Sequence, residues 1–396
     1  MVPYRLRLLF WYEEIGGRVV KHQRIQVLHV IGRLGRGGDT SVVLAVLEHL
    51  GKLGIHFDFL THSGCSPETV QRLRKAGCKV YVLSGDMRKM GAVAYFTAVY
   101  SFLRQHREYS AVHFHTALQS GIGLFAAWLA GVPIRICHAH AAAIQRKTPV
   151  LLRWFAAPVL RGMILVFSNR WVACGEAAGR FLFGGHRFLL LKNAVDLSRF
   201  QKPMESAVNR LRDHWNIPSD ALLLGQIGRF DSMKNQRFSL SLAAAYARKE
   251  RPVTLIYVGE GALLGQTMAL AEQTKRPGLQ VIFAGQRRDI PELLSLFDLL
   301  LFPSLAGEGV PITLLEAQAA ACPALVSDMV SREADLGLGL LRFLPLEKLS
   351  LWEQCLSYRT DLPDAAAVRQ RFVQCGYKPQ EIAERWIRLY DTKQTI

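Results

Sequence analysis

The sequence predicts an α/β protein built from two units, each containing a parallel sheet with crossover helices. Three observations support this fold class. Short β-branched runs alternate with helical stretches, which is typical of strands joined by crossover helices. Several of these runs are apolar throughout, as strands are when helices cover both faces of a sheet. A polar stretch from Lys192 to Arg212 interrupts the alternation, which then restarts, so the 396 residues divide into two units.

The first half of the chain predicts six strands separated by helices. The predicted strands are Ile25–Ile31, Ile55–Thr61, Lys79–Ser84, Ala111–Thr116, Ile134–His140 and Trp171–Cys174. The predicted helices are Thr40–Leu50, Pro67–Ala76, Gly91–Gln105, Gln119–Ala130 and Glu176–Phe183. This order is that of one sheet in which helices connect parallel strands.

The second half repeats the pattern. The predicted strands are Leu222–Ile227, Val253–Val258, Leu279–Ala284, Leu299–Phe302 and Ala324–Ser327, and the predicted helices are Gln236–Lys249, Ala262–Lys275, Ile290–Leu296 and Val310–Ala320. An amphipathic pattern predicts a last helix over Gln380–Tyr390. We therefore place the two units at residues 25–197 and 198–375, after an extension of residues 1–24 and before a terminal helical segment of residues 376–396.

The charge of the chain is unevenly distributed. The net charge is +17, from 49 lysines and arginines and 32 acidic residues. The first 200 residues hold 26 of these cations and 10 of the acids, whereas residues 201–396 hold 23 and 22. The excess predicts an anionic partner for the first unit, such as a membrane surface, a lipid phosphate or nucleic acid. A general solubilising bias of the surface is the alternative.

Cysteine usage and hydropathy exclude several classes of protein. The seven cysteines are scattered and form no C-x-x-C pair, so neither a disulfide framework nor a zinc site is predicted. Such thiols are typical of the reducing cytosol. No uninterrupted apolar run reaches the ~18 residues of a spanning helix. Glu13 and Glu14 interrupt the apolar run near the start, so no secretory signal is predicted and we expect a cytoplasmic protein.

A glycine-rich turn follows the first predicted strand and contains Gly37 and Gly38. Glycines let the backbone approach a ligand closely, and the start of the following helix favours an anion. The spacing is not G-x-G-x-x-G, and the chain contains no G-x-x-x-x-G-K-[ST], so NAD and P-loop chemistry are both disfavoured. A tight strand-to-helix turn without a ligand is the alternative.

Two H-x-H pairs, His113 with His115 and His138 with His140, lie at the ends of two predicted strands. Strand alternation points both histidines of a pair to the same side. Such pairs can ligate a metal, but no acidic residue adjoins them in sequence. A histidine at a strand end can instead bind a substrate hydroxyl or simply close the sheet, and we predict no metal site.

The second half carries cations that suit a diphosphate. Arg229 and Lys234 lie five residues apart, between a strand end and a helix start. The guanidinium can hold phosphate oxygens in a fork and the ammonium adds a point charge. Two solvated cations are the alternative. Farther on, Gly259 and Gly261 indicate a close backbone approach, and the loop Gly285–Arg288 is suited to reading a base edge.

Two carboxylates are predicted near one helix start. Glu308 precedes the helix and Glu316 lies one turn inside it, so that both can face one cleft. Paired carboxylates can bind the hydroxyls of ribose and hexose, or hydrolyse a glycosidic bond. A glycosidase, however, needs no phosphate-binding Arg–Lys pair. Glu308 alone also fits a merely structural role at the helix start.

Taken in order, G-R-F-x-x-x-K-N, V-G-E-G, G-x-R-x-D, F-P-S-x-x-x-E-G and the E-x7-E pair resemble family 4 of the glycosyltransferases, which has the GT-B fold of two Rossmann-like domains facing a cleft. The segments H-V-I-G-R-x-x-R-G-G and R-I-x-H-A-H resemble its capsular and exopolysaccharide branch. The resemblance covers about residues 25–390. Each motif alone is weak, but five in order are specific.

The resemblance implies a role for each matching position. Arg229 and Lys234 would hold the donor diphosphate, Glu316 the nucleotide ribose and Glu308 the transferred sugar. His140 would lie near the reacting sugar, and the terminal helix would cross back to the first domain. The remaining donor contacts would come from Gly37, Gly38, Gly259, Gly285, Arg288 and Gly309.

The implied activity is transfer of a hexose from a nucleotide-sugar to a saccharide or lipid-linked acceptor in cell-surface polysaccharide synthesis. UDP is the favoured nucleotide of the donor. The resemblance implies retention of the anomeric configuration, no metal and no cofactor. We expect peripheral binding to an anionic inner membrane. Two alternatives stay open, a nucleotide-sugar epimerase and a non-catalytic nucleotide-sugar-binding protein. No nucleic-acid-binding motif is found, so nucleic acid is not an expected partner.

Overall fold

The computed structural model describes residues 9–15, 18–35, 43, 46–47, 54–62, 64–143, 155–200, 205–305, 307–357 and 361–390. The chain forms two compact units. The first comprises Met1–Ala194 together with Tyr377–Ile396, and the second comprises Val195–Gly376. Within the described residues, no helix is both long enough and apolar enough to cross a bilayer.

The first unit contains an eight-stranded sheet. Its strands are β1 (Leu9–Ile15), β2 (Arg18–Ile31), β3 (Ile55–Thr61), β4 (Val80–Val82), β5 (Ala111–Phe114), β6 (Ile134–Ala139), β7 (Arg170–Ala173) and β8 (Leu189–Leu190). The parallel strands follow the order β4-β3-β2-β5-β6-β7-β8, and β1 pairs antiparallel with the first half of β2. The first parallel strand therefore begins at Arg18, earlier than the predicted Ile25, because its start is paired in this ribbon.

The helices of the first unit are Pro67–Lys75, Met87–Met90, Ala92–Gln105, Ser120–Ala130, Ala157–Phe167, Glu176–Phe183 and Pro379–Tyr390. The predicted helix Thr40–Leu50 lies mostly outside the described residues, although Val43, Val46 and Leu47 are helical. Ala157–Phe167 was not predicted. It packs closely against Ser120–Ala130, where a Cβ added at Gly121 would lie 2.6 Å from the Leu160 carbonyl oxygen. Glycine is therefore required at this contact.

The second unit contains a six-stranded sheet that is parallel throughout. Its strands are β9 (Leu222–Ile227), β10 (Val253–Val258), β11 (Leu279–Phe283), β12 (Leu299–Phe302), β13 (Ala324–Ser327) and β14 (Leu341–Leu344), in the order β11-β10-β9-β12-β13-β14. The helices are Glu205–His214, Gln236–Lys249, Leu264–Gln273, Ile290–Leu296, Ile312–Ala319, Leu349–Leu356 and Ala365–Gln374.

Four elements of the second unit were not predicted. Glu205–His214 buries only Leu211, and the edge strand Leu341–Leu344 buries only Leu344, so neither shows a clear apolar pattern. The helices Leu349–Leu356 and Ala365–Gln374 follow the last predicted strand. Both helices bury apolar side chains four residues apart, Trp352 with Leu356 and Val368 with Phe372, a helical signal that the sequence-based prediction did not use.

Both sheets share one topology. In each, the first parallel strand lies beside the fourth, and the strand order reverses between them. Ligands of open α/β sheets bind at the carboxyl ends of the strands, where the order reverses. In the second unit these are the ends of β9 and β12, and in the first unit they are the ends of β2 and β5. These four strand ends are therefore the positions where a ligand is expected.

Candidate active site

Lys234 and Glu308 form an ion pair at the switch point of the second unit. Lys234 follows β9, Glu308 follows β12, and their Nζ and Oε1 atoms are 2.6 Å apart. Both side chains are largely buried, with exposures of 16% and 20%. The Ser304 hydroxyl donates to Glu308 Oε1 over 2.8 Å, and Lys234 Nζ lies 4.4 Å from the centre of the Phe302 ring. The two residues were predicted separately, and the structure brings them into contact.

A side-chain turn shapes the loop that carries Lys234. Asp231 Oδ1 accepts the backbone N–H groups of Met233 and Lys234, at 3.0 and 3.2 Å. Asp231 Oδ2 lies 3.1 Å from Arg229 Nε, although the Arg229 side chain is 69% exposed. The sequence-based prediction assigned no role to Asp231. The signal was available, because Asp commonly forms such turns with the backbone two residues on.

Two glutamine side chains hold the backbone of the same loop through hydrogen bonds. Gln226 Nε2 donates to the Lys234 carbonyl over 2.6 Å, and Gln236 Nε2 donates to the Arg229 carbonyl over 2.9 Å. Both glutamines are buried. Sequence reasoning missed both. The backbone at Arg229 and Lys234 is thus held by side chains, while the Arg229 guanidinium extends into solvent.

The glycines of V-G-E-G bring two backbone loops into contact. A Cβ at Gly259 would lie 2.1 Å from the Gly228 carbonyl oxygen, and one at Gly261 would lie 2.4 Å from the Phe230 carbonyl oxygen. The close approach predicted at these glycines is therefore to the loop after β9. Gly259 N–H also donates to the Gly285 carbonyl over 2.8 Å. Side chains at these positions would push the Arg229 loop away from its neighbour.

Glu316 lies apart from this ion pair. It is half-buried on helix Ile312–Ala319, and no hydrogen bond or ion pair joins it to Lys234 or Glu308 within the described residues. Burial raises the pKa of Glu316 from 4.5 to about 7, and the nearby positive charge of Arg199 opposes part of this shift. Arg199, which sequence reasoning missed, also donates through Nη2 to the Arg288 carbonyl at 3.5 Å.

The remaining predicted donor positions are found at strand ends or outside the described residues. Gly285, two residues after the end of β11, adopts a φ of 64°, a left-handed conformation that favours glycine. Gly309 is buried beside Glu308. Gly37 and Gly38 lie outside the described residues.

In the first unit, His140 belongs to a group of five histidines. His29 on β2, His113 and His115 at β5, and His138 and His140 at β6 share one side of the sheet. The rings of each H-x-H pair stack, with centroids 4.4 Å apart in His113–His115 and 4.0 Å apart in His138–His140. All but His140 are buried. Trp386 and Tyr390 of the terminal helix pack onto them, with Trp386 centred 5.6 Å from His29.

Burial keeps the inner histidines neutral. It lowers the pKa of His29 to about 3, and it lowers the pKa values of His113, His115 and His138 well below 6.5, with repulsion from neighbouring rings adding to the effect. Two triples meet the spacing a metal ion would need, His29 with His113 and His115, and His115 with His138 and His140. Sequence reasoning did not include His29 in this group, because its contacts depend on strand order.

Known proteins resemble the chain along most of its length. The family model "Glycosyl transferases group 1" matches residues 221–340, and "Glycosyl transferase 4-like domain" matches residues 37–180. The putative glycosyltransferase EpsF of Bacillus subtilis strain 168 is 31% identical over 379 residues, covering 92% of this chain and 96% of EpsF. The UDP-Gal:alpha-D-GlcNAc-diphosphoundecaprenol alpha-1,3-galactosyltransferase of Escherichia coli is 24% identical over 265 residues, 64% of each chain.

Solved structures share the fold. Anabaena Alr3699/HepE, in complex with UDP and glucose, has a TM-score of 0.65 at 18% identity, covering 93% of this chain and 96% of that one. WaaG, a glycosyltransferase involved in lipopolysaccharide biosynthesis, has a TM-score of 0.62 at 16% identity, covering 90% and 95%. The fold and these likenesses define a glycosyltransferase of the GT-B class. The chain belongs to glycosyltransferase family 4, as its motifs predicted, and it resembles the exopolysaccharide branch.

Proposed function

We propose that this glycosyltransferase takes a hexose from a UDP-sugar, retains the anomeric configuration and uses no metal ion for the diphosphate. The observation that carries the proposal is the largely buried Lys234–Glu308 ion pair at the switch point of the second sheet. Lys234 and the exposed Arg229 belong to the loop after β9, and the N-terminus of helix Gln236–Lys249 follows that loop directly. Together they can neutralise a leaving diphosphate, a task that otherwise commonly falls to Mg²⁺.

In this proposal, Lys234 and Glu308 exchange each other for parts of the donor when the donor binds. Without donor, Glu308 neutralises Lys234. When the diphosphate arrives, the ammonium exchanges the carboxylate for phosphate oxygens, and Glu308 becomes available to accept a hydrogen bond from a hydroxyl of the transferred sugar. Ser304 keeps the carboxylate oriented, because its hydroxyl donates to the same Oε1 that faces Lys234. The exchange links donor binding to assembly of the sugar site.

Transfer proceeds on one face of the sugar. The bond between the anomeric carbon and the diphosphate oxygen breaks while a bond to the acceptor oxygen forms from the same side. The acceptor proton moves to an oxygen of the leaving diphosphate. Arg229 and Lys234 stabilise the charge that develops on that diphosphate. We propose that His140 contacts the transferred sugar.

The remaining donor contacts follow the motif. Glu316 would accept hydrogen bonds from the ribose hydroxyls, and the loop Gly285–Arg288 would read the base, with Gly37, Gly38, Gly259 and Gly309 near the phosphates. Two similar proteins favour uridine as the base of the donor, because HepE was solved with UDP and glucose and the Escherichia coli relative is named for UDP-Gal. That relative's name also includes a diphosphoundecaprenol acceptor, which favours a lipid-linked acceptor here.

The first unit offers a surface that suits an anionic membrane. Phe155, Val159 and Val166 recur at helical spacing on or beside helix Ala157–Phe167 and are all more than 60% exposed. Trp128 and Leu129 are exposed on the adjoining helix Ser120–Ala130. Apolar side chains inserted among headgroups, with cations around them, bind anionic bilayers peripherally. We propose that this surface binds the cytoplasmic face of the plasma membrane.

A donor screen tests the proposal. Nucleotide-sugars are ranked by the thermal stabilisation they confer in EDTA, and the best is then assayed with lipid-diphosphate acceptors. We expect a UDP-sugar to rank first and to be transferred with the anomeric configuration of the donor, read from the proton coupling of the product. Inversion, a strict need for a divalent metal, or an altered free sugar without any acceptor would contradict it. The last result would indicate an epimerase.

A further inference from the structure

The five buried or half-buried histidines and Tyr390 form one unbranched series of hydrogen bonds. His140 Nε2 lies 2.8 Å from His115 Nδ1, and His115 Nε2 lies 3.0 Å from His29 Nδ1. The Tyr390 hydroxyl lies 3.4 Å from His29 Nε2 and 2.9 Å from His113 Nδ1. His113 Nε2 lies 3.2 Å from His138 Nδ1. We call this series, in the order His140, His115, His29, Tyr390, His113 and His138, the histidine chain.

Each link of the histidine chain restricts the next. A neutral imidazole has one N–H donor and one acceptor nitrogen, and a tyrosine hydroxyl can donate to one neighbour while accepting from the other. If one ring donates through Nδ1, its neighbour must accept at Nε2 and so donate through its own Nδ1. All five rings must therefore share one tautomer, either all Nδ1–H or all Nε2–H. Burial supports this logic because it keeps the four buried rings, those of His29, His113, His115 and His138, neutral.

The inner end of the histidine chain selects between the two directions. His138 Nε2 is buried and has no hydrogen-bond partner within the described part of the chain. In the Nε2–H direction this atom would be an orphaned buried donor, whereas in the Nδ1–H direction it is only an unused acceptor. Orphaned buried N–H groups are rarer in proteins than unused acceptors. The geometry thus favours the direction in which His138 begins as a donor.

We propose that all five rings are Nδ1–H tautomers, and that the buried chain thereby sets the tautomer of His140. His140 then accepts from His115 at Nε2 and carries its single proton on Nδ1. Its side chain can meet a sugar oxygen only as a donor through Nδ1, and it cannot act as the general base for the acceptor. The consequence for the sugar contact rests on the proposed role of His140 in transfer. The assignment of the tautomers does not depend on that role.

Hydrogen bonding explains the cluster better than a metal ion does. Both nitrogens of His29, His113 and His115 already have protein partners at 2.8 to 3.4 Å. Among the described residues, no Asp or Glu contacts these three rings or His138. A dication there would stand among neutral ligands in an apolar region without a second-shell anion, which is unfavourable. Metal uptake is therefore an outcome that would overturn the proposal.

The tautomers can be measured directly. Protein labelled with ¹⁵N only at histidine gives long-range ¹H–¹⁵N spectra whose pattern distinguishes Nδ1–H, Nε2–H and imidazolium rings, and single His→Gln variants assign the signals. We expect five Nδ1–H rings between pH 6.5 and 8, unchanged by one equivalent of Zn²⁺. Five Nε2–H rings, a mixture along the chain, an imidazolium inside it, or tight Zn²⁺ binding that shifts these signals would each overturn the proposal.

Tyr390→Phe tests the coupling along the histidine chain. It removes the link between His29 and His113, so we expect His29, His115 and His140 to populate both tautomers. Tyr95→Phe is the matched control, because the buried Tyr95 hydroxyl also contacts a histidine, His62 at 3.0 Å, outside the histidine chain. The control should leave all five tautomers unchanged. Unchanged tautomers in Tyr390→Phe would show that the rings are set individually and would overturn the coupling.

A kinetic readout separates positioning from stability. In Tyr390→Phe we expect kcat to fall several-fold while the donor KM stays within about twofold, because ground-state donor contacts come from other residues. Tyr95→Phe should retain both values within about twofold. Normal kcat in Tyr390→Phe with mixed tautomers would contradict the role of His140 and leave the histidine chain intact. If the wild-type protein shows the expected tautomers but transfers no sugar, the proposed function is contradicted and the tautomer assignment is not.

Discussion

Lys234 Nζ lies 2.6 Å from Glu308 Oε1, although the two residues are 74 positions apart in sequence and follow different strands. The contact arises because β9 and β12 are neighbours in the sheet while β10 and β11 lie on the other side of β9. A cation that must bind a diphosphate is therefore neutralised by the carboxylate that must bind the sugar.

Glu308→Gln separates the two roles of the carboxylate. Removing its charge leaves Lys234 without its ion-pair partner, so we expect UDP alone to bind roughly 3- to 10-fold more tightly, a gain of about 1 kcal/mol. Sugar transfer should nevertheless fall by a factor of about 100 or more, because the sugar contact is lost. Calorimetry with UDP and a transfer assay give the two numbers. Weaker UDP binding would contradict competition between Glu308 and phosphate.

Glu272→Gln is the control for this experiment. Glu272 also pairs with a lysine, Lys275 at 3.7 Å, but both side chains are more than 70% exposed. Exposed pairs contribute little. Neither UDP affinity nor turnover should change.

Two substitutions of Asp231 distinguish the turn from the ion pair. Asp231→Asn keeps an oxygen for the N–H groups of Met233 and Lys234 and loses only the charge that faces the exposed Arg229. Asp231→Ala loses both interactions and should cost about 1 to 3 kcal/mol, in stability or in donor binding. We expect the Asn variant to retain UDP affinity within about threefold and the Ala variant to lose more. Equal losses would show that the ion pair matters more than the turn.

Glu316→Gln should change how stability depends on pH. The folded protein holds the Glu316 proton with a pKa of about 7, against 4.5 for an unperturbed carboxyl, so folded protein binds more protons in this window. Wild-type stability therefore falls as pH rises from about 4.5 to 7, by on the order of 1 to 3 kcal/mol. Glutamine avoids this loss. The variant should gain relative stability at pH 8 but not at pH 4.5.

Denaturant unfolding at both pH values measures this effect, with Glu250→Gln as an exposed control. A variant less stable than wild type at pH 8 would contradict the assigned pKa. The same variant should bind UDP-sugar more weakly, because an amide replaces the carboxylate proposed for the ribose.

Val159→Asp combined with Val166→Asp should release the protein from anionic vesicles. Each valine is more than 60% exposed on helix Ala157–Phe167, so the changes should leave the core intact. We expect wild-type protein to float with anionic vesicles at low salt and less so at high salt, and the double variant to float weakly in both. Met268→Asp, at an exposed apolar residue of the second unit, is the control. Equal flotation of all three would remove the membrane proposal.

Sequence reasoning located most of the fold because buried parallel strands have a strong apolar signal. Ile55–Thr61, Leu222–Ile227, Val253–Val258 and Leu299–Phe302 were predicted with the bounds the structure shows. Elements with few buried residues were missed, as at Leu341–Leu344. There the strand is defined by its pairing with β13, which a local pattern does not report.

The candidate site was predictable residue by residue but not as a set of contacts. The residue types at the predicted strand ends were enough to predict four donor-site residues, Arg229, Lys234, Glu308 and Glu316. The pairing of Lys234 with Glu308 and the place of His29 in the histidine chain depend on strand order. Arg199 lies near Glu316 because the short helical turn Leu197–Phe200 packs against helix Ile312–Ala319. The predicted common cleft for Glu308 and Glu316 remains a prediction, because the structure links only Glu308 to Lys234.

Turnover of Lys234→Ala tests the donor site most directly. Transfer from the best UDP-sugar is measured in EDTA for wild type, Lys234→Ala and the exposed control Lys275→Ala, with thermal unfolding recorded for each. We predict that Lys234→Ala loses transfer by a factor of about 1,000, while its unfolding temperature stays near that of wild type and Lys275→Ala remains active. Near-normal turnover in a folded Lys234→Ala protein would contradict the assignment of the diphosphate to this site.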